Sequence, residues 1–189
     1  MELFGIFSAF GLSASAGLNA YIPLLVVALL AKFTNLIKLD TPWDALTSWW
    51  IIGLLIVLSL IEFFADKAPA VNHINDIIQT FVRPTAGAVA FAASANIITE
   101  IHPALSLGLG LLIAGGVHAA KTLAVRPAVT ATTGGLGNVP VSILEDLIST
   151  AISILSVVVP VVIASLFIII TSWIIFRMLK RSRANTSAA

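Results

Sequence analysis

Five apolar stretches, residues 3–31, 45–65, 84–99, 104–125 and 147–176, alternate with short polar joints along the chain. Taken as helices of roughly 20 residues each, they predict an all-α, polytopic membrane helix bundle of about five spans. Residues 70–83 add a different pattern: Val71, Ile74, Ile77, Ile78, Phe81 and Val82 fall on one helical face, and His73, Asp76, Thr80 and Arg83 on the other. That amphipathic element is expected to lie along the membrane interface, with its polar stripe lining a cavity as the alternative.

The first stretch is too long for one straight span. An unbroken helix over 3–31 would run about 44 Å, well beyond a hydrocarbon core of roughly 30 Å. The weak point is written into "GLSASAGLNAYIP", residues 11–23, where Gly11, Ser13, Ser15, Gly17 and Asn19 precede Pro23. Glycine lowers the cost of leaving helical geometry and proline removes a backbone donor. Gly11, Ser15 and Asn19 also lie four apart, so close helix packing is the competing reading.

A second stretch of the same kind, "TATTGGLGNVP" at 130–140, sets Gly134, Gly135 and Asn138 before Pro140. "FVRPTAG" from Phe81 recurs loosely as "AVRPAVT" from Ala124, so the chain carries a possible internal pseudo-repeat. Paired Gly/Pro interruptions in two halves point to a site built from discontinuous helices, whose freed amides and carbonyls become ligands.

Composition supports the membrane class, since 59% of residues are apolar, 10% are charged and the mean hydropathy is +1.07. One membrane domain is expected over 1–180, with a polar, disordered cytoplasmic tail over 181–189. A net charge of +1 with no basic cluster in the body argues against nucleic acid as a partner. The absence of cysteine excludes disulfides, thiolate metal sites and Cys nucleophiles. Met1-Glu2 lacks the basic region of a signal peptide, so the first apolar segment is expected to stay.

Arg177, Lys180, Arg181 and Arg183 follow the last span, which places the C-terminus in the cytoplasm and, with five crossings, the N-terminus outside. Trp43, Trp49, Trp50 and Trp173 mark the interfaces. In "TPWD", Thr41 and Pro42 are expected to open the second span, with Asp44 at its positive dipole end.

Ionisable groups at membrane depth are costly and persist with a partner or a purpose. Glu62 and Asp66 share a helix face at the end of the second span, beside Lys67. His118 and Lys121 lie three apart after Gly115-Gly116, and Arg126 follows at Pro127, forming a plausible anion corner. Snorkelling to the headgroups is the plain alternative for each. "SILED" at 142–146 reads as a capping box, with Ser142 capping and Glu145 reaching back, which leaves Asp146 unexplained. A helix from Ser142 to Phe176 would exceed about 50 Å, so a bend at Pro160 is expected.

No hydrolase elbow, zincin motif, Walker loop or dinucleotide fingerprint is present, so no catalytic residue, cofactor or metal site is predicted. Five short motifs in order, "SAGLNAYIP", "EFFADKAP", "FVRPTAGA", "AVRPAVTATTGG" and "SILED", resemble the bacterial membrane-protein family DUF4126 from about Gly11 to Pro160. The resemblance implies a small multi-span inner-membrane protein and carries no activity. Its pattern lands on Gly17, Tyr21, Pro23, Asp66, Lys67, Pro69, Arg83, Pro84, Gly87, Arg126, Pro127, Gly134, Gly135, Ser142, Glu145 and Asp146. Relatives with a basic residue near the position of Asn19 imply one charge fewer here.

The expected function is transport or conduction of a small ion or polar, anionic solute. The site is expected between the two breaks, around a charge network. Its candidate residues are Gly17, Asn19, Tyr21, Glu62, Asp66, Lys67, Asp76, Arg83, His118, Lys121, Arg126, Gly134, Gly135, Asn138, Glu145 and Asp146. A lipid-handling enzyme using Asp66, His73 and Asp76 is one alternative, and a non-catalytic scaffold another. The bilayer, a small ion or solute and a second copy of the chain are the expected partners.

Overall fold

Many polar side chains are buried beside a core of mostly small apolar ones, while many large apolar side chains are exposed, which governs how the helices of this chain assemble. The computed structural model describes residues 2–67, 69–95, 102–159, 166, 168–177 and 180. Seven α-helices run through them: α1 Glu2–Leu18, α2 Tyr21–Phe33, α3 Trp49–Ala65, α4 Pro69–Ala95, α5 Pro103–Ala120, α6 Arg126–Thr133 and α7 Asn138–Val158. A 3-10 turn, Trp43–Thr47, leads into α3, and a π turn, Lys121–Val125, joins α5 to α6 without a gap. A further apolar helical stretch covers Ile168–Arg177. No strand occurs among the described residues.

Helix α7 shows the inversion most clearly. Its buried residues are Ser142, Glu145, Asp146, Ser149, Ser153 and Ser156, while Leu144, Leu147, Ile154, Leu155 and Val158 are exposed. Such a face is costly in water and inexpensive against hydrocarbon, where backbone and polar groups must find partners inside. Two helical runs are long and apolar enough to cross a membrane, Pro103–Thr133 with 31 residues and Asn138–Val158 with 21. Helices α1, α2 and α3, at 17, 13 and 17 residues, are shorter than a full span.

Several boundaries differ from the sequence reading. The stretch 3–31 is two helices broken at Asn19-Ala20. The amphipathic segment 70–83 is no separate surface helix, because it continues through Pro84 to Ala95 as α4. On α4, Asn75, Gln79 and Arg83 are buried, whereas Ile74, Ile77, Ile78 and Phe81 are exposed, so the polar stripe packs inward. Thr41 and Pro42 precede the 3-10 turn, and α3 starts later, at Trp49 after Ser48. Ser142 and Glu145 form no capping box, because α7 begins at Asn138 and both lie in its interior. Helix α7 ends at Val158, and Pro160 lies outside the described residues.

Helix α1 packs on α4, α5 and α7, and α2 packs on α3 and α7. Small residues permit this. Ser13 Oγ donates to the Gly110 carbonyl at 2.8 Å, and Ser15 Oγ sits 2.8 Å from Ser149 Oγ and 2.7 Å from Ser153 Oγ. The close helix contact expected of Gly11, Ser15 and Asn19 is therefore present at Ser15, with α7 as the partner, together with the break. Phe10 and Phe91 meet edge to face at 5.3 Å on the α1–α4 side.

The α4–α5 approach sets the tightest constraint. A Cβ on Gly87 would lie on the Ala114 methyl, and one on Gly110 would lie 2.5 Å from the Gly87 carbonyl oxygen. Gly87→Ala is therefore expected to lower stability by about 1–3 kcal/mol, as overpacking does. Gly116→Ala, where an added Cβ meets nothing within 4 Å, should leave the thermal midpoint in detergent unchanged or higher. Equal midpoints for the two variants would refute the packing.

Candidate functional site

The break at Asn19-Ala20 frees a carbonyl at the end of α1 and an amide at the start of α2, and buried charges take both. The Leu18 carbonyl accepts from Lys121 Nζ at 3.3 Å, and the Ala20 N–H donates to the Glu62 carboxylate at 3.1 and 3.3 Å. Asn19 secures the junction: its Oδ1 accepts from the Tyr21 and Ile22 amides at 3.2 and 3.1 Å, and its Nδ2 donates to Asp146 Oδ1 at 2.9 Å. The side chain thus caps the orphan donors of α2 while tying the break to α7.

Around this break four carboxylates, Glu62, Asp66, Glu145 and Asp146, meet four cations, Lys67, Arg83, Lys121 and Arg126. Glu62 and Asp66 are four apart on α3, and both are buried although neighbouring Ile61, Phe63 and Phe64 are exposed. Arg83, fully buried on α4, donates to Glu62 Oε1 from Nε at 3.1 Å and from Nη2 at 2.9 Å, and to Asp66 Oδ2 at 3.2 Å. Asp66 is the hub, since Lys121 Nζ and Arg126 Nη2 also approach its Oδ2 at 3.5 and 3.6 Å, and Asn75 Nδ2 donates to Oδ1 at 2.6 Å.

Lys121 and Arg126 then share one further oxygen, Glu145 Oε2, at 2.9 and 3.0 Å. Five residues apart, the two would project about 140° from each other on an ideal α-helix. The π turn removes that angle. The Arg126 amide bonds the Lys121 carbonyl, an i→i+5 closure that stacks residue 126 where an α-helix would stack residue 125. Both cations consequently reach the same carboxylate on α7.

At the edge of the network Lys67 bonds Asp146 Oδ2 at 2.7 Å and lies 3.4 Å from the centre of the Phe63 ring. His118 approaches Arg83 Nη1 through Nδ1 at 3.4 Å and Thr80 Oγ1 through Nε2 at 3.2 Å. A guanidinium only donates, so His118 Nδ1 accepts and the ring proton sits on Nε2, facing Thr80.

The structure thus brings together Asn19, Glu62, Asp66, Lys67, Arg83, His118, Lys121, Arg126, Glu145 and Asp146. Gly17 lies buried against Val117 and Ala114 of α5, and the Tyr21 ring packs on the apolar core beside the break. Gly134, Gly135 and Asn138 are elsewhere: the second break is a turn with positive φ of 63° and 90° at the two glycines, and Asn138 bonds Thr130 in an exposed α6–α7 hairpin. No described hydrogen bond links that turn to the ion network. The His73 side chain lies outside the described residues, and no group of three or more His, Asp or Glu is placed to hold a metal among those described.

Two participants escaped the sequence reading, Asn75 and the serine stripe of α7, whereas the freed amide and carbonyl at the break were expected. Asn75, Gln79 and Arg83 recur every fourth residue, and Ser142, Asp146, Ser149, Ser153 and Ser156 every third or fourth, so a buried polar stripe was readable in both helices. A family model described as "Domain of unknown function (DUF4126)" matches residues 6–181 of the chain. No curated protein and no solved structure matches it.

Proposed function

The chain belongs to the DUF4126 family, and we propose that it is an integral membrane transporter for a small polar or charged solute. The observation that carries the proposal is the α1–α2 break, whose freed carbonyl and amide are held by Lys121 and Glu62 of a buried, charge-balanced network. Discontinuous helices that offer backbone groups to ions or solutes at the midplane are how many transporters build their sites. The inverted distribution of polar and apolar residues supports a bilayer setting, and the proposal includes five crossings in a bacterial inner membrane. Arg177, Lys180, Arg181 and Arg183 then lie on the cytoplasmic side.

In such a site opposite charges offset one another's burial until a solute or proton replaces one partner. Lys121 is placed for that exchange, because it touches the break, Asp66 and Glu145 together. A solute that takes over one of those contacts alters what α1, α3 and α7 share, which couples occupancy to helix arrangement.

The second reading, a scaffold whose network only locks helices together, is favoured by the completeness of the pairing around Arg83. Proteoliposome uptake separates the two. Transport predicts solute flux that requires the protein and falls at least about tenfold in Asp66→Asn, the loss expected when one buried charged partner is removed. A protein that remains folded in liposomes yet moves no ion, carboxylate, amine or amino acid would refute transport and leave the scaffold.

A further inference from the structure

Nearly every polar group in the network has a partner, so the few that do not are informative. Arg126 is one. Its side chain is only 7% exposed and its Nη2 bonds Glu145, yet Nε and Nη1 have no hydrogen-bond partner. A guanidinium presents two forked edges, Nε with Nη2 and Nη1 with Nη2. Nη2 lies at 3.0 Å from Glu145 and 3.6 Å from Asp66, so the unused donors are Nε on one side of it and Nη1 on the other, each able to take a carboxylate oxygen. The fully buried Ser142 Oγ, one turn before Glu145 and Asp146 on α7, is also unpartnered.

Unused acceptors also occur on α4. Asp76 Oδ1 and Gln79 Oε1 are buried without partners. Gln79 lies one helical turn from both Asn75 and Arg83, and those two residues bond Asp66 at 2.6 and 3.2 Å. Arg126 approaches that same Asp66 at 3.6 Å. Asn75 and Arg83 of α4 and Arg126 thus converge on one carboxylate, and the unused acceptors of α4 lie on the same helix between and beside the first two.

Charge decides the kind of solute that suits both poles. The network holds four carboxylates and four cations, and Asp76 adds a further negative charge. A simple anion would enter a core already negative by one, and would leave the α4 acceptors unused. A simple cation would meet Arg83, Lys121 and Arg126 and leave the Arg126 donors unused. A solute with no net charge, one acceptor head and one donor head satisfies both.

We propose that this region binds a small zwitterion of the amino-acid type, its carboxylate on the unused donors of Arg126 and Ser142, its ammonium on Asp76 and Gln79. The site stands on this geometry, and its role as the substrate site rests on the transport reading above.

The test uses the full-length protein purified in detergent, with calorimetric and thermal-shift titrations of glycine, β-alanine and γ-aminobutyrate against acetate and methylammonium. At least one amino acid should bind about tenfold or more tighter than either single-headed analogue. The preferred spacing of its charges reports the distance between the poles. Asp76→Asn should weaken that amino acid about 10- to 100-fold, and Ser142→Ala about tenfold. Neither residue belongs to an ion pair, so both variants should keep the wild-type melting midpoint. Acetate binding as tightly as the amino acids would overturn the zwitterion site in favour of an anion site only. Binding by no amino acid, or binding indifferent to Asp76→Asn, would overturn it as well. Amino-acid binding without flux would refute transport and keep this site, whereas flux of another solute without amino-acid binding would do the reverse.

Discussion

Arg83→Met should cost the protein about 3–5 kcal/mol, the range found when one partner is removed from a buried ion pair. Methionine fills much of the same volume, so the loss is electrostatic. Arg83 is fully buried and supplies three hydrogen bonds to Glu62 and Asp66. Without it Glu62 keeps only the Ala20 amide, whereas Asp66 keeps Lys121 and Arg126 at Oδ2 and Asn75 at Oδ1. Arg83→Lys should fall between wild type and methionine, because an ammonium restores charge but cannot form the fork across two carboxylates.

The double variant Arg83→Met with Glu62→Gln carries the diagnostic result. Glutamine still accepts the Ala20 amide but needs no cation, so the second substitution should recover part of the loss, with a coupling of about 0.5–3 kcal/mol. Chemical denaturation in detergent, followed by far-ultraviolet circular dichroism, measures each step. Additive losses from the two substitutions would mean that Glu62 and Arg83 do not depend on each other, contrary to their 2.9 Å bond.

The sequence made some of this legible and hid the rest for physical reasons. Nine ionisable candidates meet at one place, with Asn19 among them, because an ionisable residue in an apolar run has few options other than a partner. The break near Asn19 was legible as well, since length, glycine and proline all argued against one straight helix over 3–31. Which charge met which backbone group was not. The bond from Lys121 to Leu18 spans 103 positions in the chain, and no local pattern encodes it.

Two errors have a common cause. Reading the 70–83 stripe and Ser142 with Glu145 by the rules of water-exposed helices placed their polar faces outward or at a helix end. On α4 and α7 the buried side is the polar side, so Asn75, Gln79, Ser142 and Glu145 point into the bundle and apolar neighbours such as Ile78 and Leu144 point out. The Gly134-Gly135 turn misled for another reason. Its glycines meet a demand for positive φ in a helical hairpin, which resembles a ligand-binding break in sequence while lying exposed in space.

The π turn was invisible in the sequence, and it yields the second large expected effect. Leu123, in its middle, is 78% exposed, so changing the chain length there disturbs little packing of its own. Deleting Leu123 leaves Lys121 and Arg126 four positions apart, which an ordinary α-helix places on one face. The deletion should therefore be tolerated, with both cations still on Glu145 and a stability loss of about 1 kcal/mol, near the typical single-site change.

Inserting one alanine after Leu123 puts the two cations six positions apart, about 120° out of register in an α-helix at 100° per residue. Glu145 and Asp66 would then each lose a cation, and Arg126 would turn away from α7. The insertion should cost several kcal/mol by the same buried-pair reasoning as Arg83→Met, seen as a failure to purify a monodisperse folded protein. If deletion and insertion were equally damaging, the helix would be sensitive to length alone. If both were harmless, the pairing of Lys121 and Arg126 on Glu145 would carry no stability. The expected asymmetry identifies the π turn as the device that aims two cations at one carboxylate.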